Sequence, residues 1–180
     1  MIERQIFFSR VRSAPFPGRL SEEQVDGLTR ILDTWERLEL MDLRWLANML
    51  GQTFHETGER MQPIREAGSA AYLQSKPYYP YVGEGLIQVT WEANYRKFGA
   101  EHPGDLLSWP HALRALFDGM IKGMFTGKKL ADYFNDQETN WLHARRIING
   151  MDRAAEVAAY SKQFYAALGT ASQWGAAGTA

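Results

Sequence analysis

Helical periodicity constrains the fold of this sequence most strongly, because it defines two adjacent helices with clear ends. The first begins at a capping-box pattern, Ser21–Gln24, and its apolar residues keep helical spacing to about Leu40. The second has Asp42 as a suitable N-cap and Gly58 as a suitable C-terminal stop. The sequence therefore predicts a mainly helical chain in which the second helix leads directly into an irregular segment.

That irregular segment, residues 58–85, lacks periodicity and is rich in proline, glycine and tyrosine. A loop of this length in a compact domain is more often functional than idle. Helical patterning then returns in four segments, at about Trp91–Phe98, Pro110–Phe125, Thr139–Ile148 and Asp152–Leu168. We predict one helical domain over residues 1–168, with a flexible Gly- and Ala-rich tail at residues 169–180.

The composition excludes several classes of protein and of site. Lysine and arginine number 20 against 21 acidic residues, and this balance argues against a nucleic-acid-binding module. Cysteine is absent, which excludes disulfides, thiolate metal sites and a cysteine nucleophile. The four histidines are scattered without metal-ligand spacing, so neither a metal nor another cofactor is expected.

Two further expectations concern location and assembly. No run approaches the roughly 20 apolar residues that a membrane span needs, so no stable membrane insertion is expected. Met1–Pro17 lacks the apolar core of a signal peptide. We expect a monomer that is made in the cytoplasm and reaches any external target only after release or assisted export.

Glu56 is the first candidate catalytic residue, at the C-terminal end of the second predicted helix. A carboxylate there faces the negative end of the helix dipole, and the preceding residues are apolar. Both effects favour the protonated form, which a glycosidase needs in order to protonate a leaving oxygen. The alternative is an ordinary surface glutamate at a helix end.

Glu66 is the second candidate, ten positions further along, in the irregular segment. A polar, partly solvated loop would keep it ionised, as a general base requires. An inverting pair needs a gap of roughly 6.5–9.5 Å between its carboxyl groups to admit a water. Two alternatives stay open: Glu66 pairs with Arg65 on the surface, or Glu59 is the base.

A third motif runs from Gly83 to Tyr95. Apolar and polar residues alternate after Gly85, so an extended segment would place Gln88 and Thr90 on one face. The amide groups of Gln88 and Asn94 suit sugar hydroxyl and acetamido groups, and Thr90 suits a water. The alternative is a short half-buried strand whose polar face is merely wet.

These motifs occur in an order that resembles glycoside hydrolase family 19, which comprises chitinases and phage or bacterial endolysins. The resemblance covers about Arg44 to Tyr165 and rests on four ordered elements: Phe54-His55-Glu56-Thr57-Gly58, the Glu66 loop, Gly83–Tyr95 and Ile147-Ile148-Asn149-Gly150. It implies a mainly α, lysozyme-like fold (α+β, with a helical core and a small β element beside the substrate cleft).

The resemblance also implies a role for each matching position. Glu56 matches the general acid, Glu66 the general base, and Thr90 a hydroxyl residue that holds the attacking water. The matching substrate-binding residues are His55, Gln88, Asn94, Tyr95 and Asn149. The implied reaction is metal-independent hydrolysis of a β-1,4 bond next to an N-acetylated sugar, with inversion at the anomeric carbon.

The sequence departs from the family pattern at Glu84, where the family usually has arginine, and at Glu59, where a second glycine is common. An anion at Glu84 beside the cleft would remove a partner of a catalytic carboxylate or repel it. A catalytically inactive glycan-binding module is therefore an alternative. A helical partner-binding scaffold would leave the ordered polar positions unexplained.

The expected substrate is bacterial peptidoglycan, because the cysteine-free chain resembles the phage-type members rather than the disulfide-bonded plant chitinases. Four cations that suit its acidic groups, or that simply face solvent, are Lys128, Lys129, Arg145 and Arg146. The loop tyrosines would stack on sugar rings or pack over the core. Chitin or chitooligosaccharides are the alternative substrate.

Overall fold

Seven α-helices and one two-stranded sheet make up the computed structural model, which describes residues 1–172. The helices are α1 (Arg4–Ser13), α2 (Glu22–Arg37), α3 (Leu43–Glu56), α4 (Ala70–Gln74), α5 (Glu92–Lys97), α6 (Trp109–Lys122) and α7 (Ala154–Ala171). Three 3₁₀ helices lie between the later helices, at Asp105–Leu107, Leu130–Asp132 and His143–Ile147. The predicted mainly α, lysozyme-like fold is confirmed. None of the helices in residues 1–172 has both the length and the apolar character to cross a bilayer.

The α3 helix is the centre of the fold. All nine residues from Leu46 to Phe54 are buried, and α2, α6 and α7 contact this helix. The sequence predicted one apolar face, but the polar side chains of Asn48, Gln52 and Thr53 are buried as well. A helix that is buried all round belongs to the core of the protein. Its C-terminal residue is therefore held on a rigid support.

The predicted ends of α2 and α3 are confirmed. The Ser21 hydroxyl accepts a hydrogen bond from the Gln24 backbone, and the Gln24 side chain accepts one from the Ser21 backbone. The Asp42 carboxylate accepts from the Arg44 backbone nitrogen at 2.9 Å, and Gly58 has a left-handed φ of 54° directly after the C-cap of α3. Local capping chemistry therefore fixes where α3 begins and ends.

The sheet joins β1 (Ile64–Arg65) to β2 (Glu84–Gly85) in an antiparallel pair. Glu84 also exchanges two backbone hydrogen bonds with Val89, at 3.1 and 2.9 Å, so residues 85–88 form a tight turn. The predicted extended segment through Gln88 was wrong: Gln88 has a left-handed φ of 52°. Gly85, with a φ of 87°, allows the chain to fold back at this point.

Other elements also differ from the predictions. The α1 helix was not predicted, nor was the α4 helix within the irregular segment, and the predicted helix at Thr139–Ile148 is a shorter 3₁₀ helix. The α7 helix continues to Ala171, which is buried, so the predicted flexible tail was wrong for residues 169–171. Residues 173–180 of that tail lie outside the described residues. One hydrophobic cluster includes side chains from α1, α2, α3, α6 and α7, while the single domain over residues 1–168 stays a prediction.

Gly51 allows α3 and α7 to pack closely, and a substitution at this position tests that packing. A Cβ at this position would lie 2.8 Å from the Ser161 backbone nitrogen, which cannot move without shifting α7. We expect Gly51→Ala to lower the free energy of unfolding in urea by about 1–3 kcal/mol. A Cβ on Gly169 in α7 would meet no atom within 4 Å, so Gly169→Ala should instead raise stability by up to about 1 kcal/mol. Equal effects of the two substitutions would contradict the close packing.

Candidate active site

Glu56, the last residue of α3, is held by a buried arginine. Glu56 Oε1 accepts a hydrogen bond from Arg145 Nη1 at 2.6 Å, and the exposed fractions of the two side chains are 16% and 3%. The same Nη1 donates to Gln52 Oε1 at 2.7 Å, while Arg145 Nε donates to the Asp152 carbonyl oxygen at 3.1 Å. Arg145 therefore ties the Glu56 carboxylate, at the end of α3, to Asp152, which lies just before α7.

The interpretation of Arg145 as a surface cation was wrong. Arg145 lies in the 3₁₀ helix His143–Ile147 and is buried, whereas its neighbour Arg146 is exposed. Its guanidinium gives the Glu56 side chain a cationic hydrogen-bond partner that the helix end does not supply. The surroundings of Glu56 are therefore set by Arg145 as well as by the helix end.

Glu66 follows β1 directly and has two hydrogen-bond donors of its own. Glu66 Oε2 accepts from the Gly83 backbone nitrogen at 3.0 Å, and Oε1 accepts from the Tyr78 hydroxyl at 3.2 Å. Both donors hold the carboxylate oxygens in defined positions. Burial, with the nearby Glu66 charge as the next cause, raises the pKa of Tyr78, so its hydroxyl keeps its proton as a donor. Glu66 is thus a braced carboxylate rather than a freely moving loop residue.

Gln88 lies beside Glu66. Its Nε2 donates to the backbone oxygens of Ile64 and Gly85, at 3.0 and 3.2 Å. A Cβ on Gly83 would lie 2.9 Å from Gln88 Oε1 and 3.4 Å from Glu66 Oε2. Both side chains therefore flank Gly83, and a larger residue there would have to displace the end of the Gln88 side chain. Because the amide nitrogen is engaged, Oε1 is the atom of Gln88 that suits a ligand.

The remaining predicted polar residues lie at or near the surface. Thr90 and Asn94 are half-buried, and Asn94 Nδ2 donates to the Thr90 carbonyl oxygen at 3.0 Å. The Thr90 hydroxyl makes no hydrogen bond to another residue in the range 1–172. His55 is half-buried beside Glu56. Asn149 is exposed, and its backbone nitrogen donates to the Arg145 carbonyl oxygen at 3.1 Å.

These contacts form two groups. Glu56 is joined to Arg145, with His55 next to Glu56 in the chain and Asn149 bound through its backbone to Arg145. Glu66 is hydrogen-bonded to Gly83, which Gln88 also flanks. Among the described residues, no hydrogen bond connects one group to the other. Sequence reasoning missed Arg145, Gln52 and Tyr78 as partners of the carboxylates. Only the position of Gln52, one helical turn before Glu56, could have indicated a shared face.

The prediction that Tyr95 contacts a sugar was wrong. Tyr95 is 0% exposed, its hydroxyl donates to the Val82 carbonyl oxygen at 2.5 Å, and its ring packs edge-on against Tyr81. Burial, and after it the charge of Glu84, raises the pKa of Tyr95. The spacing of Tyr95, in α5, and Phe98, the C-cap of that helix, is the sequence signal of a core-facing side chain. Tyr95 therefore supports the β element from within the core.

The prediction that Glu84 lies beside the cleft was also wrong. Its side chain is 0% exposed, and both carboxylate oxygens accept from the Gly104 backbone nitrogen, at 3.0 and 2.8 Å. Arg65 Nε lies 3.8 Å from Glu84 Oε1. Burial is the main cause of the raised pKa of Glu84, which these partners partly offset. Glu84 therefore anchors the β element to the chain around Gly104.

The described part of the chain has a cavity that lies apart from the predicted site residues, and it lacks a metal-binding cluster. Residues 1–172 contain no group of three or more His, Cys, Asp or Glu side chains that could hold a metal ion. A cavity of about 560 Å³ lies between the N-terminus, α2 and α3. It includes none of the predicted site residues, and its lining is mainly apolar, with Ile2, Trp35, Leu40 and Leu43.

The buried ion pair predicts a large effect on stability. Arg145→Ala leaves the Glu56 carboxylate without its cation, and we expect the free energy of unfolding in urea to fall by about 3–5 kcal/mol. Adding Glu56→Gln should recover part of this loss, because no uncompensated charge remains. The control is Arg146→Ala, an exposed neighbour that should change stability by about 0.5 kcal/mol or less. Equal losses for the two alanine variants would show that the ion pair does not support the fold.

Comparison with known proteins gives a partial similarity. No protein-family model matches the chain. Endochitinase CH5B of Phaseolus vulgaris is 35% identical over 85 residues, and the match covers 37% of this chain and 26% of that protein. A second Phaseolus vulgaris protein, Endochitinase, is 34% identical over 85 residues with the same coverage. The chain thus matches about a quarter of the length of these relatives. It has a distant, partial similarity to chitinase-type proteins, and membership of family 19 stays a prediction.

Proposed function

We propose that this protein is a glycoside hydrolase that cleaves β-1,4 bonds next to N-acetylated sugars, with Glu56 as general acid and Glu66 as general base. The observation that carries the proposal is the presence of two carboxylates that are held in place by different partners. Arg145 holds Glu56 at the end of the core helix, and Tyr78 and Gly83 hold Glu66 in the loop. The partial similarity to endochitinases supports the same reaction class.

Arg145 supports the role of Glu56 in proton donation. As the protonated carboxyl group gives its proton to the leaving oxygen, negative charge develops on Glu56. The guanidinium 2.6 Å away stabilises that charge without having to reorganise, because Gln52 and the Asp152 carbonyl already fix it. The contact therefore favours proton transfer to the leaving oxygen once Glu56 has taken up a proton from solvent.

Glu66 supplies the second half of the reaction. Its two hydrogen bonds orient the carboxylate, and each oxygen retains a lone pair for another donor. A water held by Glu66 and the Thr90 hydroxyl attacks the anomeric carbon from the face opposite the leaving group. Its proton passes to Glu66 as the new carbon–oxygen bond forms, which inverts the configuration.

Glu66 is a better candidate for the base than Glu59. Glu59 is exposed, has a left-handed φ of 68°, and its carboxylate has no hydrogen-bond donor within residues 1–172. A base that must orient one water needs a defined position, which the two donors give to Glu66. The inactive binding module was suggested by an anion beside the cleft, and the burial of Glu84 removes that reason.

Peptidoglycan is the substrate that we propose first. Lys128, Lys129 and Arg146 are all exposed, and the Thr126 hydroxyl joins their two segments by donating to the Arg146 carbonyl oxygen at 2.6 Å. A local group of cations suits the carboxylates of the peptide stems, although the whole chain is nearly neutral. Chitin is the second candidate, because the matching Phaseolus vulgaris relatives are named endochitinases.

The assignment of the two carboxylates predicts a strong loss of activity in matched variants. We expect Glu56→Gln and Glu66→Gln each to lower the rate by about 10²–10⁴-fold, because each removes proton transfer while keeping the size of the side chain. Glu59→Gln, the matched control, should retain activity within about threefold. The measurement is the release of reducing ends from purified peptidoglycan and from colloidal chitin.

The two polymers also discriminate between the substrates. Faster release from peptidoglycan supports the first candidate, and faster release from chitin supports the second. Full activity of Glu56→Gln on the polymer that the wild type cuts would rule out Glu56 as the general acid.

A further inference from the structure

Trp91 is an exposed aromatic residue that is connected to the proposed base. It is 48% exposed, and its ring packs edge-to-face against Tyr78, with the ring centroids 5.7 Å apart. The Tyr78 hydroxyl in turn donates to Glu66 Oε1 at 3.2 Å. Nearly half of the Trp91 surface is therefore open to solvent, and Tyr78 alone lies between this residue and the proposed base, Glu66.

The backbone of Trp91 has a conformation that a bulky residue rarely adopts, with φ 72° and ψ 135°. Three hydrogen bonds hold it there. Its nitrogen donates to the Tyr81 carbonyl oxygen at 3.0 Å, and its own carbonyl oxygen accepts from the backbone nitrogens of Asn94 and Tyr95 at 3.0 and 3.1 Å. Glycine would satisfy this backbone without strain, yet the position holds the largest side chain. Such strain is concentrated at ligand-binding sites in proteins.

Two other exposed aromatic residues of the same region lack this arrangement. Tyr72 and Tyr79 are each 46% exposed. Lys76 Nζ lies 3.9 Å from the centroid of the Tyr72 ring and covers it. Tyr79 has no aromatic partner within residues 1–172, and neither hydroxyl donates to Glu66. Of these three exposed aromatic residues, Trp91 is therefore the one that packs against Tyr78, the hydrogen-bond donor to Glu66.

We propose that Trp91 forms a sugar-binding subsite, in which its open surface stacks on a pyranose ring of the glycan chain. The C–H face of a β-linked N-acetylated pyranose is apolar and matches an exposed indole, while its hydroxyl groups stay in water. This inference rests on the proposed function, because it adds a binding position next to the same carboxylate. A sugar on Trp91 also orders Tyr78, and through its hydroxyl the base Glu66.

The test removes the indole without disturbing the backbone. Trp91→Gly suits the left-handed φ and removes the ring, Trp91→Phe keeps an aromatic ring, and Tyr79→Ala is the control for loss of an exposed aromatic residue. Each is made in a Glu56→Gln background so that the glycan is not consumed. Calorimetric titration with chitotetraose and with soluble uncross-linked peptidoglycan strands measures the affinity, and circular dichroism checks the fold.

We expect Trp91→Gly to weaken binding of the preferred glycan by at least about tenfold, and Trp91→Phe and Tyr79→Ala to weaken it by about threefold or less. A folded Trp91→Gly protein that binds as well as its parent overturns the subsite, even if the wild type hydrolyses the polymer. Failure of the Glu56→Gln parent to bind either glycan also overturns it. If the parent binds through Trp91 but the wild type cuts neither polymer, the subsite stands and the proposed hydrolysis fails.

Discussion

The buried ion pair between Glu56 and Arg145 depends on the packing of three parts of the protein at once. Glu56 comes from α3, Arg145 from the 3₁₀ helix His143–Ile147, and the arginine is further held by Gln52 and the Asp152 carbonyl. Removing a guanidinium from water is costly unless its donors are used and its charge is balanced. Here Nε and Nη1 of Arg145 are hydrogen-bonded and Glu56 balances the charge, and the same helix, α3, packs closely against α7 at Gly51. Core packing and the proposed acid are therefore parts of one arrangement.

The proposed base, Glu66, is positioned by a different part of the fold, the two-stranded sheet and the tight turn that follows β2. Glu66 follows β1, Gly83 precedes β2, and the two are joined by a backbone hydrogen bond of 2.6 Å as well as by the side-chain contact. Glu84, buried and bound to the Gly104 backbone, fixes the other side of this element. A short sheet of this size has little stability by itself. The buried Glu84 carboxylate and Tyr95 support it from the core side. Both residues therefore have a structural role and do not face a ligand.

Local signals in the sequence were sufficient for the central helices and insufficient for contacts between distant segments. The caps at Ser21 and Asp42 predicted where α2 and α3 begin, and Gly58 predicted that α3 ends near Glu56. The partner of Glu56 is 89 positions away, so no periodicity could identify Arg145 as buried. Gln88 was misplaced because alternation over a few residues describes a turn as well as a strand. The unpredicted contacts of Glu56 and Glu84 depend on tertiary structure, whereas the turn at Gln88 and the α1 helix are local features that the periodicity did not reveal.

The proposed mechanism requires Glu56 and Glu66 to act as an acid and a base on opposite sides of a sugar ring. Proton NMR of the first product released from the polymer that the enzyme cuts reports the stereochemistry of this step. A water activated by Glu66 must attack opposite the leaving group, so we expect the α-anomer to appear first and then to equilibrate. Initial release of the β-anomer would contradict the mechanism, because retention requires a nucleophile in place of the water.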